Sequence, residues 1–160
     1  MMLINIISLG RLKDKWIKDG CAEYIKMLGG YCTVKETELS PVRLPDAPND
    51  RQIQTALDAE AEMILDAVPK GSAVIAMCIE GRMMSSEQLA QKLSDFALGG
   101  KSTVCVIIGS SCGLSDRVKQ RADLRLSMSP MTFPHRLAKV MIAEQLYRAM
   151  SINAGGKYHK

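Results

Sequence analysis

Three stretches of the chain combine residue types that can do chemistry. The first is Gly109-Ser110-Ser111-Cys112-Gly113, directly after the apolar run Thr103–Ile108. Glycine after a strand lets backbone approach a ligand closely, because no Cβ intervenes. The loop is neither a dinucleotide GxGxxG nor a Walker P-loop, since the lysine and the spacing are missing. It does match the G-x-S-x-G nucleophile elbow, and Ser111, Asp123 and His135 follow in hydrolase chain order. A serine hydrolase is therefore one reading, with Cys112 served by His135 as its thiol variant. The plain alternative is a tight turn. Only 47 residues follow Gly113, and three fixed positions are easily met by chance, so the hydrolase ranks low.

The second stretch is Ser127-Met128-Ser129-Pro130-Met131-Thr132-Phe133-Pro134-His135-Arg136. Two prolines bracket a polar and aromatic loop and stiffen it, leaving amides and carbonyls exposed. Such a loop can read an adenine edge through its main chain; otherwise Thr132 caps the next helix and Phe133 packs. The third is Lys157-Tyr158-His159-Lys160, which joins cations, a stacking ring and a titratable imidazole. That mixture suits a phosphate backbone and an unstacked base, although terminal segments of this composition are commonly disordered. Five cysteines at scattered positions form no CxxC and no Cys/His cluster, which argues against a disulfide framework or a zinc site. Cys78 and Cys105 sit in apolar runs and read as small buried hydrophobes.

These loops must be held by regular elements. Met2–Ser8, Tyr31–Leu39, Ala73–Ile79, Thr103–Ile108 and Leu124–Met128 read as strands. Helical spacing of Ile17, Cys21, Tyr24, Ile25 and Leu28 follows a candidate cap at Asp14. Asn49 or Asp50 opens a second helix through Val68, and Ser85-x-x-Gln88 is a capping box for a third. A short helix starts at Ser115, and a last one runs from Pro134 to about Ile152. Pro41, Pro45 and Pro48 make 40–50 a loop. Strands alternating with helices, several of them apolar throughout, define an α/β protein with a mainly parallel sheet. In such sheets ligands bind at the carboxyl ends of the strands, where Glu80-Gly81, 109–113 and 129–134 fall. Ten of the fourteen residues Leu137–Met150 are apolar and surround the helix axis. A helix of that kind is covered on more than one side, and a homodimer interface is the expected cover.

The chain has 160 residues, 47% hydrophobic and 24% charged, the make-up of one soluble globular domain. Its apolar stretches fall far short of the ~20 residues that span a bilayer. Met1–Leu9 has neither a basic lead nor a cleavage site, so a cytoplasmic protein is expected. The net charge of +4 is uneven. Residues 1–113 carry 12 Lys/Arg against 14 Asp/Glu, whereas 114–160 carry 9 against 3. A basic final third points to a polyanion.

Four stretches together resemble, over the whole length, the RlmH family (YbeA-like) of SPOUT-superfamily ribosomal RNA large subunit methyltransferases. They are Gly10-Arg11-Leu12-Lys13; Ile108 through Leu114; Leu126 through His135; and Glu144-Gln145-Leu146-Tyr147-Arg148-Ala149 with Tyr158-His159-Lys160. The resemblance implies a single α/β domain over 1–160 with a C-terminal trefoil knot inside about 103–160, acting as a homodimer without a metal. It implies methyl transfer from S-adenosyl-methionine to N3 of a pseudouridine in the intersubunit-bridge stem-loop of 23S rRNA, on the assembled 70S ribosome. The family's cofactor positions fall on Met77, Gly109, Met128, Ser129, Pro130, Met131, Thr132 and Phe133. The usual Gly-Gly-Ser-x-Gly loop is altered here: its second glycine is Ser110, whose Cβ is expected to crowd the cofactor slightly, and Cys112 fills the variable position.

The implied chemistry assigns roles. The N3–H must lose its proton, which calls for a base of near-neutral pKa or a cation that stabilises the anion. His159 is the first candidate base and His135 the second. Arg148, held by Glu144 one helical turn before it, would orient or stabilise charge. Tyr158 would stack on the target ring, with Lys160 and Arg136 on the RNA. A non-catalytic RNA-binding module is the remaining alternative.

Overall fold

The computed structural model describes residues 1–160. Its elements, in chain order, are β1 (Leu3–Leu9), α1 (Lys15–Leu28), β2 (Thr33–Leu39), α2 (Asp50–Ala67) and β3 (Ala73–Met83). Then come α3 (Ser86–Leu98), β4 (Thr103–Ile108), α4 (Asp116–Arg121), β5 (Leu124–Ser127) and α5 (His135–Asn153). The five strands form one all-parallel sheet in the order β2-β1-β4-β3-β5.

Strand alternation sorts the core into two layers. Ile4 and Ile6 of β1, Ile75 of β3, and Val104 and Val106 of β4 face α1, α3 and α5, meeting Leu28, Leu93, Ile142 and Leu146. Ile7, Leu9, Val74, Ala76, Cys105 and Ile107 face the other way, meeting Ala61 and Ile64 of α2 and Val118 of α4. The apolar runs were continuous because both faces of the inner strands are covered.

Caps fix where helices begin. Asn49 and Gln52 form a reciprocal capping box at α2, and Ser85 with Gln88 does the same at α3. Ser115 accepts from the Arg117 amide at α4. Two expectations need correction. Asp14 stands at the cap position of α1 without a side-chain cap bond; its carboxylate instead pairs with Arg136 at 2.5 Å. Pro134 is the residue before α5, not a member of its first turn.

The third strand also runs further than Ile79. It continues to Met83 through a register shift between Met77 and Arg82 against β5. Gly81 allows this, because a Cβ there would stand 2.8 Å from the Arg125 carbonyl. The helix α5 lies between α1 and α3 on one sheet face. Those two neighbours account for apolar residues beyond its sheet-facing stripe.

Candidate active site at the carboxyl edge of the sheet

The loops after β3, β4 and β5 open on one edge of the sheet and enclose a cavity of about 590 Å³. That volume lies within the usual range for small-molecule sites. Seven of the eight expected cofactor residues line it: Met77, Gly109, Met128, Ser129, Met131, Thr132 and Phe133. Pro130 does not. Cys78, Ile79, Ile108, Leu126, Ala138 and Ile142 complete the apolar wall, and sequence reasoning missed them. Ala138 and Ile142 sit on α5, so no strand-end argument could have found them.

Local chemistry explains the wall's shape. A Cβ on Gly109 would collide with the Gly113 carbonyl, so only glycine permits the turn that brings the two backbones together. Gly113 itself has φ +84°, and its amide donates to the Ser110 carbonyl at 2.9 Å. The Ser110 hydroxyl donates to Glu60 at 3.0 Å. In the loop after β5, the Ser127 hydroxyl donates to the Ser129 carbonyl at 3.2 Å. The Ser129 hydroxyl accepts from the Met131 amide at 3.0 Å. Thr132 makes no capping bond to α5. The two prolines and two serines thus fix the loop, and of its carbonyls that of Pro134 is spent on α5, accepting from the Ala138 amide at 2.9 Å.

His135 lines the same cavity, at the start of α5, near Gly10. Ser111 lines it too, but Asp123 does not join them. Its carboxylate accepts from the Val74 amide at 2.8 Å, at the opposite, amino end of β3. The hydrolase triad is therefore not assembled, because β5 separates its acid from its other members.

The tail residues come together elsewhere. Glu144 Oε1 accepts from Arg148 Nε at 3.0 Å, from another Arg148 nitrogen at 2.5 Å, and from the Tyr158 hydroxyl at 3.0 Å. The Arg148 guanidinium lies 4.7 Å from the Tyr158 ring centre, and Tyr147 packs edge-on to the same ring. Hydrogen bonding to Glu144 raises the Arg148 pKa above its ordinary value. Burial, then the Glu144 bond, pushes the Tyr158 phenol up. Arg148 also reaches His159 Nδ1 at 3.1 Å, while His159 Nε2 is 2.7 Å from Glu87. A guanidinium only donates, so Nδ1 is the acceptor and Nε2 carries the proton toward Glu87. The His159 bond holds Glu87 below the usual carboxylate range.

Glu144, Arg148, Tyr158 and His159 thus form one network, and Glu87 is its unforeseen member. None of the four lines the main cavity. A neighbouring hollow of about 370 Å³ shares Met77, Leu126, Met128 and Ile142 with the main cavity, and none of the four lines it either; Gln145 does. Gln145 links the two regions, donating to Glu144 and accepting from Ser86. Lys160 is exposed, and Arg136 is tied to Asp14 at 2.5 Å.

Much of the basic excess proves to be neutralised in the fold. Arg117, Lys119, Arg136 and Lys139 pair with Glu62, Glu80, Asp14 and the Glu36/Glu38 couple, all from the front of the chain. No group of three or more His, Cys, Asp or Glu could hold a metal ion, and no helix is long and apolar enough to cross a membrane.

The structure is thus a parallel α/β sheet with a cavity at its carboxyl edge, walled by a glycine turn and a proline-bracketed loop. The model described as "Predicted SPOUT methyltransferase" covers residues 2–159, and the chain belongs to that family. More particularly, it is 45% identical over 159 residues to the Ribosomal RNA large subunit methyltransferase H of Bacillus pumilus (strain SAFR-032), spanning 99% of this chain and 100% of that protein. The protein of the same name from Clostridioides difficile (strain 630) is 43% identical over the same shares. Solved structures agree on the fold. A probable methyltransferase from Bordetella pertussis Tohama I gives a TM-score of 0.57 at 15% identity, covering 92% of this chain and 95% of that one. A probable methylase family protein from Haemophilus influenzae Rd KW20 gives 0.55 at 17%, covering 99% and 70%.

Proposed function

We propose that this methyltransferase transfers a methyl group from S-adenosyl-methionine to N3 of a pseudouridine in 23S rRNA. Its target would be the intersubunit-bridge stem-loop of the assembled 70S ribosome in the cytoplasm. The carrying observation is the cavity itself. Its walls hold Met77, Gly109, Met128, Ser129, Met131, Thr132 and Phe133, seven of the eight positions at which the family resemblance puts the cofactor. Its size suits such a ligand, and the Gly109–Gly113 turn leaves a cradle that a Cβ on Gly109 would fill. The names of the full-length relatives support an RNA substrate.

Bound S-adenosyl-methionine would supply an electrophilic methyl carbon. The protein's work is then to align N3 with it and to manage one proton. Tyr158 offers a ring face for the target base, braced by Tyr147. His159 would take the N3 proton at Nδ1, which requires that Arg148 yield that nitrogen. The freed guanidinium, still fixed by Glu144, would stand beside the developing imide anion. Glu87 keeps the ring oriented through Nε2–H. His135, in the cavity wall, is the alternative base. Lys160 and Arg136 would meet phosphates.

The tail network does not line the cavity of its own chain. We therefore place the complete site across a homodimer, with one tail finishing the partner's pocket. A single domain over 1–160 with a C-terminal trefoil knot fits the sheet order, in which β5 lies beside β3 and α5 returns over β1 and β4. The test is transfer of label from methyl-tritiated S-adenosyl-methionine to 70S ribosomes lacking the modification. Wild type should label 23S rRNA, and Glu144→Gln should lower kcat at least tenfold while the cofactor Kd stays within about twofold. Cofactor binding without any transfer would leave only an RNA-binding module.

A further inference from the structure

Glu60 of α2 is buried, with 4% exposure, and takes part in none of the chain's ion pairs. Its carboxylate accepts two neutral hydrogen bonds, from the Val42 amide at 2.9 Å and the Ser110 hydroxyl at 3.0 Å. Burying an ionised carboxylate is costly, and folds normally match it with a cation or a metal. The wall of the main cavity contains no Asp, Glu, Lys or Arg. Glu60 thus stands one hydroxyl behind an otherwise uncharged, largely apolar wall. In such surroundings a fixed charge acts at longer range than it would in water.

We infer that Glu60 is a specificity residue for charge. Its carboxylate makes the cavity prefer the cationic sulfonium donor over the neutral thioether that remains after transfer. The inference rests on the cofactor reading above. In the reaction the sulfonium S–CH3 bond breaks and an N3–CH3 bond forms. The sulfur keeps the bonding electron pair and becomes neutral, and the N3 proton passes to the base. The positive charge therefore leaves the cavity while Glu60 stays. Donor is held by that charge, and spent product is held less. Ser110 is the link: where the family pattern has glycine, this chain has a hydroxyl that fastens the cofactor turn to the carboxylate.

The experiment compares S-adenosyl-methionine with S-adenosyl-homocysteine by calorimetric titration of wild type, Glu60→Gln and Glu60→Asp. Expected is a fall of roughly fivefold in the preference for the sulfonium in Glu60→Gln, carried mainly by weaker donor binding. Glu60→Asp keeps the charge and should hold the preference within about twofold. An unchanged ratio in Glu60→Gln overturns the inference, as does an equal loss in both variants, which would mean loop positioning. If Glu60→Gln fails to fold, as judged by its melting curve, wild type alone decides. A cofactor analogue bearing an ammonium in place of the methyl sulfonium should bind wild type several-fold tighter than the thioether, and equal affinities would refute the charge preference. Wild type binding none of these ligands would sink the cofactor reading instead.

Discussion

Cys78 is in the cavity wall, where burial, with Glu80 beside it, raises its thiol pKa. A thiol is a far weaker nucleophile than a thiolate, so the wall would not compete with substrate for the electrophilic methyl group of the proposed donor. Burial likewise raises Cys21 and Cys105 and pushes Cys32 up to about 11. A raised native pKa means that the folded chain holds a proton that the unfolded chain would lose. The stability linked to it is complete below the unfolded thiol value and lost as pH rises toward the folded one. Tyr158 adds the same sign at higher pH. Melting temperature should therefore decline from about pH 9 upward, and Cys32→Ala should flatten that decline. A pH profile as steep in the variant as in wild type would remove Cys32 from the account.

Among the elements, α5 carries an unusual bond to the edge strand. Lys139, its side chain 3% exposed, has Nζ 3.2 Å from Glu36 and 3.6 Å from Glu38 of β2, attracted by charge without a hydrogen bond. Either replacement of Lys139 leaves Glu36 and Glu38 without their partner, but both carboxylates are part-exposed and water can serve them, whereas truncation to alanine adds a hole. Lys139→Met is expected to stay within about 1 kcal/mol of wild type, and Lys139→Ala to lose about 2–4 kcal/mol; urea unfolding of both variants checks this. Nothing in the spacing of Lys139, Glu36 and Glu38 announces their meeting, since they lie a hundred residues apart. The same holds for Glu60 with Ser110 and Glu87 with His159. What was legible is local: the apolar strands, a cap at Asn49 or Asp50, the Ser85 box, the Glu144–Arg148 turn, and the loops that wall the cavity. The β3 bulge was hidden because Gly81 reads as a turn until β5 is known to press against it.

The whole molecule alters the meaning of its charge. Of the nine cations after Gly113, only Arg125, Lys157 and Lys160 lack a carboxylate partner. A cation held by a carboxylate is not free to neutralise a phosphate and release its condensed counterion, so RNA affinity should fall gently with salt. A log–log slope of roughly −2 to −3 per protomer is expected, against roughly −6 to −8 if all nine were free. Binding of a stem-loop RNA over a potassium chloride series measures it, and the steeper slope would mean that docking breaks the internal pairs. The contact between α1 and α5 has a consequence for biosynthesis. Ile4, Ile6 and Leu28 are made early, yet they share one core with Ile142, Leu146 and Ala149. Until α5 leaves the ribosome, the nascent chain exposes an apolar sheet face that it has no means of covering. It is during that interval that a holdase chaperone would find the most to bind.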